Sequence, residues 1–233
     1  MAIQQLILAG GGDPKDSMLV DRFYNMLLPR KRLLFLPQAV APVTWSYDRA
    51  YFWLRRNPML KNIKIRMWKH LTGKSYDDLA VFDTVYVMGG NTFKLLYQLR
   101  KTGFLEHLSR FIKSGRVVYG ISAGAIILGK DIQTALIGTE ADKNEVGLRN
   151  LEGLNLLNGY NVHPHYDPAN DESLFDHLRK NKSTSLLAIP EKSGAYVRNN
   201  SLLVLGYDPI YLFQDGKKKS FRPGKRVRLL NIH

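Results

Sequence analysis

The sequence predicts an α/β protein in which a doubly wound, mostly parallel sheet is flanked by helices. Short apolar runs of strand length alternate with segments of helical periodicity, and glycine-rich turns follow several of the runs. No linker or break in composition divides the 233 residues. Hydrophobic residues make up 45% of the chain and charged residues 23%, as in ordinary globular domains. We therefore expect a single domain over residues 1–233.

The predicted elements follow one another along the chain. Buried apolar runs, or alternation as in the stretch NIKIRMW, predict strands at 3–9, 32–37, 62–68, 81–88, 116–119, 160–162 and 186–190. Apolar residues at helical spacing predict helices at 18–28, 44–56, 104–113 and 171–180, and from 125 onward. Residues 131–150 are polar and are expected to be irregular, whereas 194–204 and 210–213 are expected to form β-hairpins that close the sheet edge.

The chain carries a formal charge of +14, from 34 lysine and arginine residues against 20 aspartate and glutamate residues. Such a charge can serve binding to nucleic acid or to an anionic surface. The basic residues are dispersed, however, and only the stretch from Lys217 to Arg228 concentrates them. We interpret the charge as a solvated surface and expect no nucleic-acid partner.

The sequence also argues against a membrane protein and against cysteine chemistry. No apolar run reaches the ~18 residues of a membrane span, and the N-terminal residues lack a signal-peptide pattern, so the expected location is cytoplasmic. The absence of cysteine excludes disulfides, thiolate metal sites and a cysteine nucleophile. Serine is left as the natural nucleophile.

The stretch VVYGISAGA, residues 117–125, contains G-x-S-x-G between a predicted strand and a predicted helix. This pattern is typical of a nucleophile elbow, where the serine lies on a strained turn and small neighbours let the chain pass. Ser122 is therefore the candidate nucleophile. The alternative is a glycine-rich turn in which Ser122 only caps the helix.

A second glycine-rich turn, residues 88–92, follows the fourth predicted strand. If it lies beside the elbow, the N–H groups of Gly90 and Ala123 can form an oxyanion hole. The same turn can also be a capped helix start, with Asn91 or Thr92 as the N-cap, and both interpretations can hold together. The first turn, residues 10–12, lacks G-x-G-x-x-G, so we expect it to give room beside the strand ends rather than to bind a cofactor.

A serine nucleophile needs a base, and the base needs an acid to orient it. Among six histidines, the pair His163 and His165 stands at the end of a short predicted strand, and Glu191 follows another strand. An α/β-hydrolase has its histidine after its acid. The order Ser122, His165, Glu191 indicates a different hydrolase scaffold.

Four stretches in this order resemble the signature stretches of the peptidase E family, the S51 serine peptidases, which are related to cyanophycinase. They are 89–93 (GGNTF), 120–125 (GISAGA), 161–166 (NVHPHY) and 189–191 (IPE). The resemblance spans most of the chain. It implies the class I glutamine amidotransferase-like fold, a flavodoxin-like three-layer sandwich, and a serine-type peptidase activity without a cofactor.

The resemblance also implies roles for individual residues. Ser122 is the nucleophile, His165 the base and Glu191 the acid of a Ser-His-Glu triad. Asp142 is the counterpart of an aspartate that has also been considered for the acid, so the choice between Glu191 and Asp142 stays open. Gly90 and Ala123 match the oxyanion-hole amides, with Asn91 beside them, and His163 stands where the family often has asparagine.

One departure from the family concerns specificity. Members specific for N-terminal aspartate carry an arginine just after the catalytic histidine, whereas residues 167–174 here are shorter and acidic. An acidic lining repels an aspartyl side chain and attracts a free α-amino group. We therefore expect cleavage of small peptides, such as dipeptides and tripeptides, near the N-terminus without strict preference for aspartate.

Three other functions remain open on the sequence alone. The protein can be an esterase or a cyanophycinase-like isopeptidase, or a non-catalytic binding or regulatory module that retains the elbow as scaffold. His163 and His165 can face the same side as metal ligands, but no third ligand recurs at suitable spacing, so no metal is expected. The sequence is compatible with a monomer or a homodimer.

Overall fold

An eight-stranded sheet forms the centre of the protein in the computed structural model, which describes residues 3–40, 45–139, 141–181 and 185–230. Its parallel part has five strands, in the spatial order β1, β5, β4, β2, β3. They are β1 (Gln5–Ala9), β2 (Arg32–Leu36), β3 (Lys64–Met67), β4 (Thr84–Val87) and β5 (Val117–Ile121). The apolar runs, and for β3 the alternation at 62–68, predicted all five, with ends that differ by up to three residues.

Within the described residues, seven further strands follow in the second half of the chain. They are β6 (Asn161–His163), β7 (Leu186–Ala188), β8 (Ser193–Arg198), β9 (Ser201–Gly206), β10 (Ile210–Gln214), β11 (Lys217–Phe221) and β12 (Arg226–Arg228). Strands β8, β9 and β12 continue the main sheet beside β1 in antiparallel fashion. Strands β6, β7, β10 and β11 form a separate four-stranded sheet.

The predicted hairpins therefore have different outcomes. The hairpin of β8 and β9 closes the edge of the parallel part, as expected. The expectation that 210–213 closes the same edge is wrong, because β10 pairs with β7 and β11 in the second sheet. An apolar run of strand length predicts a strand, but it does not identify the partner strand.

Helices cover both faces of the main sheet, and the last helix packs against the second sheet. They are α1 (Met18–Met26), α2 (Tyr47–Arg55), α3 (Tyr76–Ala80), α4 (Thr92–Lys101), α5 (Phe104–Lys113), α6 (Ala123–Ile126) and α7 (Asp171–Lys180). The helix predicted at 44–56 is α2, and its first predicted residue, Thr44, lies outside the described residues. Among the described residues, no helix has the length and apolarity needed to cross a membrane.

The side chains of β5 alternate between two hydrophobic cores, as a strand buried on both faces requires. Val118 belongs to a core with Leu96 of α4 and Phe111 of α5. Tyr119, on the other face, belongs to a core with Tyr24 of α1 and Tyr86 of β4. The expected mostly parallel, doubly wound sheet is thus confirmed.

The carboxyl ends of β1, β4 and β5 lie side by side, since Ala9 pairs with Ile121 and Val87 pairs with Gly120. The loops after these strands therefore meet at one edge of the sheet, where open α/β sheets place their ligand sites. The second sheet reaches this edge through a backbone hydrogen bond: His165 N–H, after β6, donates to Gly10 O, after β1, at 3.0 Å. The two sheets thus converge on one candidate site.

Candidate active site

Ser122 lies on a strained turn between β5 and α6. Its φ of 52° and ψ of −117° are unusual for a residue with a side chain. Its N–H donates to Ala9 O at 3.1 Å, and its carbonyl accepts the N–H of Ala125 at 2.8 Å, so both neighbouring elements hold the turn. A Cβ on Gly124 would lie 2.2 Å from Val87 O, so only glycine fits the close approach of α6 to β4. These are the features of a nucleophile elbow.

His165 lies against the hydroxyl that this turn presents. The ring Nε2 is 2.8 Å from Ser122 Oγ, and the ring Nδ1 is 3.1 Å from Oε1 of Glu191. His165 follows β6 with a positive φ of 51°, which turns its side chain out of the strand direction. With the proton on Nδ1, the ring donates to Glu191 and leaves Nε2 to accept the serine hydroxyl proton.

The glycine-rich loop after β1 provides room for the imidazole ring. A Cβ on Gly11 would lie 2.1 Å from Cε1 of His165, so the ring packs directly on the backbone of the loop. The sequence predicted that these glycines give room beside the strand ends. In the structure, the group that occupies this room is the imidazole ring of His165.

Two backbone N–H groups belong to turns that meet at Ser122. Ala123 follows Ser122 at the start of α6, and Gly90 lies in the turn after β4 and lines the same cavities as Ser122. Within the part of the chain that the structure describes, neither the Gly90 nor the Ala123 N–H donates to another group. Such free donors beside a nucleophile are the arrangement that stabilises an oxyanion.

Asn91 caps α4 and does not reach the serine–histidine pair. Its Oδ1 accepts the N–H of Lys94 at 2.9 Å, and its Nδ2 donates to the carbonyl of Lys143 at 2.9 Å. Of the two N-cap candidates in this turn, Asn91 holds that position and Thr92 is the first helical residue. Asn91 thereby fixes the turn that contains Gly90.

Asp142 lies near His165 but is hydrogen-bonded elsewhere. Its Oδ2 accepts the backbone N–H of Thr92 at 2.8 Å, at the start of α4. Burial raises the pKa of this carboxyl, and the hydrogen bonds to Thr92 and the attraction of His165 oppose the shift. Of the two candidate acids, only Glu191 is hydrogen-bonded to a ring nitrogen of His165.

His163 is buried behind the site, with 4% of its surface exposed. Neither ring nitrogen makes a hydrogen bond of standard geometry to the described residues. Burial lowers the pKa of this imidazole to about 4, so the ring is neutral at physiological pH. The structure therefore separates the two histidines: His165 contacts Ser122 and His163 does not.

A cavity of about 850 Å³ opens beside Ser122 and His165. We call it the acidic cavity, because four carboxylate residues line it and Lys192 is the one lysine or arginine among its described lining residues. The four are Asp142, Asp167, Glu191 and Asp208. Asp208 and Lys192 were missed by the sequence reasoning, since both come from strand connections without a recognisable motif.

The acidic segment after His165 contributes only part of its charge to this cavity. Asp167 lines the cavity, whereas Asp171 accepts hydrogen bonds from the hydroxyl of Tyr166 and from Nζ of Lys218. Lys218 also lies over the rings of Tyr166 and Tyr211. This lysine of the basic C-terminal stretch therefore stabilises the second sheet as well as adding charge.

The model of peptidase family S51 matches residues 6–205, which is most of the chain. The protein belongs to peptidase family S51. The elbow at Ser122 and the histidine and glutamate beside it all lie inside the matched range.

Relatives named peptidase E agree with this membership. A peptidase E from Nostoc sp. is 28% identical over 159 residues, which cover 64% of this chain and 63% of that protein, slightly under two thirds of its length. A peptidase E from Actinobacillus pleuropneumoniae is 26% identical over 197 residues, or 79% of each chain. The solved structure of a peptidase from an acI-B1 actinobacterium covers 97% of both chains with a TM-score of 0.68 at 17% identity. This last likeness confirms the fold.

A substitution at Gly11 tests whether the position of the His165 ring limits the rate of hydrolysis. In Gly11→Ala, the added methyl group would occupy the place of the His165 ring and displace it from Ser122. Because a misplacement of about 1 Å can cost roughly 10²-fold in rate, we expect peptide hydrolysis to fall about 10²-fold. The measurement is kcat for a cleaved peptide, with circular dichroism to verify folding.

Gly73→Ala is the matched control. Gly73 also has a positive φ, of 74°, but among the described residues no atom apart from those of its chain neighbours lies within 4 Å of an added Cβ. This variant carries the backbone penalty without touching His165, so it should retain the wild-type rate. A folded Gly11→Ala protein with wild-type kcat would show that the ring position is not limiting.

Proposed function

We propose that the protein is a serine peptidase that cleaves short peptides near their N-terminus through Ser122, His165 and Glu191. The observation that carries the proposal is the hydrogen-bonded chain from Ser122 Oγ through both ring nitrogens of His165 to Glu191, on a strained elbow. Membership of a peptidase family supports the reaction class.

In the proposed reaction, Nε2 of His165 takes the hydroxyl proton as Oγ of Ser122 attacks the scissile carbonyl carbon. The tetrahedral intermediate places its oxyanion near the N–H groups of Gly90 and Ala123. Its collapse breaks the C–N bond as His165 returns the proton to the leaving amine. Water, activated by His165, then hydrolyses the acyl-enzyme ester and restores Ser122.

Glu191 acts through His165. Its carboxylate keeps the proton of the neutral ring on Nδ1 and favours the imidazolium that forms in each step. Asp142 has a different proposed role, because its carboxylate is bound to the N–H of Thr92 and lines the acidic cavity. We propose that Asp142, with Asp167 and Asp208, attracts the free α-amino group of the substrate.

The acidic cavity supports the proposed specificity. An ammonium group is stabilised among carboxylates, whereas an aspartyl side chain is repelled by them. The sequence segment that holds a substrate-binding arginine in aspartate-specific relatives has no arginine here until Arg179, near the end of α7. The substrate is therefore proposed to be a short peptide with a free N-terminus and no required aspartate.

A panel of dipeptides tests this proposal. We expect Leu-X dipeptides to be hydrolysed at least as fast as Asp-X dipeptides, and N-acetylated dipeptides to be hydrolysed poorly because they lack the ammonium group. Ser122→Ala should abolish turnover in every case. Liquid chromatography of the released amino acids measures each rate.

The same panel distinguishes the proposed peptidase from the other functions considered for this protein. Strong preference for Asp-X would contradict the proposed specificity but preserve the peptidase assignment. Hydrolysis of p-nitrophenyl esters or cyanophycin without hydrolysis of any short peptide would indicate an esterase or an isopeptidase. A Ser122→Ala protein with full activity would contradict the assignment of Ser122 as the nucleophile.

A comparison of Glu191→Gln with Asp142→Asn tests the two acids. A neutral glutamine side chain does not stabilise the positive charge of the His165 imidazolium. We therefore expect kcat to fall by about 10²-fold or more in Glu191→Gln. The asparagine side chain in Asp142→Asn should keep the hydrogen bond from Thr92 and lose only the negative charge, so KM for free-amine peptides should rise while kcat changes little. Equal, small losses in both variants would contradict both roles.

A further inference from the structure

A second cavity, of about 280 Å³, adjoins the serine–histidine pair. It shares three lining residues with the acidic cavity, namely Gly90, Ser122 and His165, and no others. Its remaining walls come from the loops after β1 and β2, from α2, from the turn after β4 and from the end of β5. A peptide with its scissile carbonyl at Ser122 can therefore extend into both cavities, with one residue on each side of the bond.

The walls of this second cavity, which we call the aromatic cavity, are apolar. Val40, Met88 and Ile121 are buried apolar residues that line it. The indole rings of Trp45 and Trp53 meet edge to face, with centroids 6.1 Å apart. Of the described residues that line it, only His165 has a titratable side chain.

Hydrogen bonds hold one wall of the aromatic cavity in place. Nζ of Lys94 donates to Val40 O at 2.5 Å and lies 5.9 Å from the ring centre of Tyr47 at the start of α2. The N–H of Asn91 donates to the carbonyl of Ala39 at 2.8 Å. The aromatic cavity is therefore formed before substrate binds, which lowers the ordering cost of binding.

We propose that the aromatic cavity binds a large apolar side chain on the residue that follows the scissile bond, so that the leaving group is an amino acid such as phenylalanine or leucine. This inference rests on the proposed function, which places the free N-terminus, and hence the acyl residue, in the acidic cavity. The aromatic cavity is then left for the leaving residue. Its volume of about 280 Å³ lies just below the ~300–1,000 Å³ of pockets for whole ligands, which suits a single side chain.

Dipeptides with a common first residue test the proposal. We expect kcat/KM of the wild-type protein to be roughly tenfold or more higher for Ala-Phe and Ala-Leu than for Ala-Gly and Ala-Asp, since a hydrophobic pocket discriminates in this range. Trp53→Ala should lower kcat/KM for Ala-Phe by roughly tenfold and leave Ala-Gly within about twofold.

Phe52→Ala is the matched control for Trp53→Ala. Phe52 is the neighbouring aromatic residue on α2, is 63% exposed, and lies outside the aromatic cavity. It should leave both substrates unaffected. If Trp53→Ala fails to fold, Trp53→Leu, which retains an apolar but smaller side chain, replaces it and should show the same direction of change.

Binding without turnover gives an independent measurement. In the Ser122→Ala protein, calorimetry should show tighter binding of intact Ala-Phe than of Ala-Gly, and adding Trp53→Ala should remove the difference. Equal binding of the two peptides would overturn the proposal even if the protein cleaves both.

The outcomes distinguish this proposal from the proposed function. Hydrolysis of peptides at equal kcat/KM for Ala-Phe and Ala-Gly would overturn the aromatic cavity as a specificity site and leave the peptidase intact. If Trp53→Ala instead lowers the rates for Phe-Ala relative to Ala-Ala, the cavity receives the acyl residue, and the assignment to the leaving residue is wrong. No hydrolysis of any peptide by the wild-type protein would overturn the proposed function itself.

Discussion

The strained backbone at Ser122 is the constraint on which the rest of the site depends. A residue with a side chain stays at φ 52° and ψ −117° only if its surroundings stabilise it by more than the strain, which is about 1–3 kcal/mol. Hydrogen bonds to β1 and to the first turn of α6 supply part of that stabilisation. The turn presents Oγ to His165, and among the described residues the N–H of Ala123 donates to no other group, so one local conformation can supply both the proposed nucleophile and a proposed oxyanion donor.

The other groups of the site come from the part of the chain that forms the second sheet. His165 follows β6 and Glu191 follows β7, and hydrogen bonds from His165 N–H to Gly10 O and from Gly10 N–H to Ser193 O attach both regions to the end of β1. The loop after β1 therefore has two functions. It joins the sheets through its backbone, and its lack of side chains leaves space for the imidazole ring.

Much of this arrangement was predictable because its signals are local. Small residues around Ser122, the two histidines at a strand end and a glutamate after a strand are each visible within a few residues, and their resemblance to one family indicated how they combine. The second sheet was not predictable, because the pairing of β10 with β7 depends on contacts distant in sequence. The burial of His163 and the hydrogen bond from Thr92 to Asp142 are likewise properties of packing. Only the structure places Trp45 and Trp53 side by side in the aromatic cavity.

Two cavities meet at Ser122. Carboxylates line the acidic cavity, and indole rings line the aromatic cavity. The most direct test of the account is reaction with a fluorophosphonate followed by peptide mapping, since this reagent modifies serines activated by a neighbouring base. The account predicts one phosphonate per chain, located on Ser122, and none after His165→Gln. Modification of a different residue, or no modification of the folded wild-type protein, would contradict it.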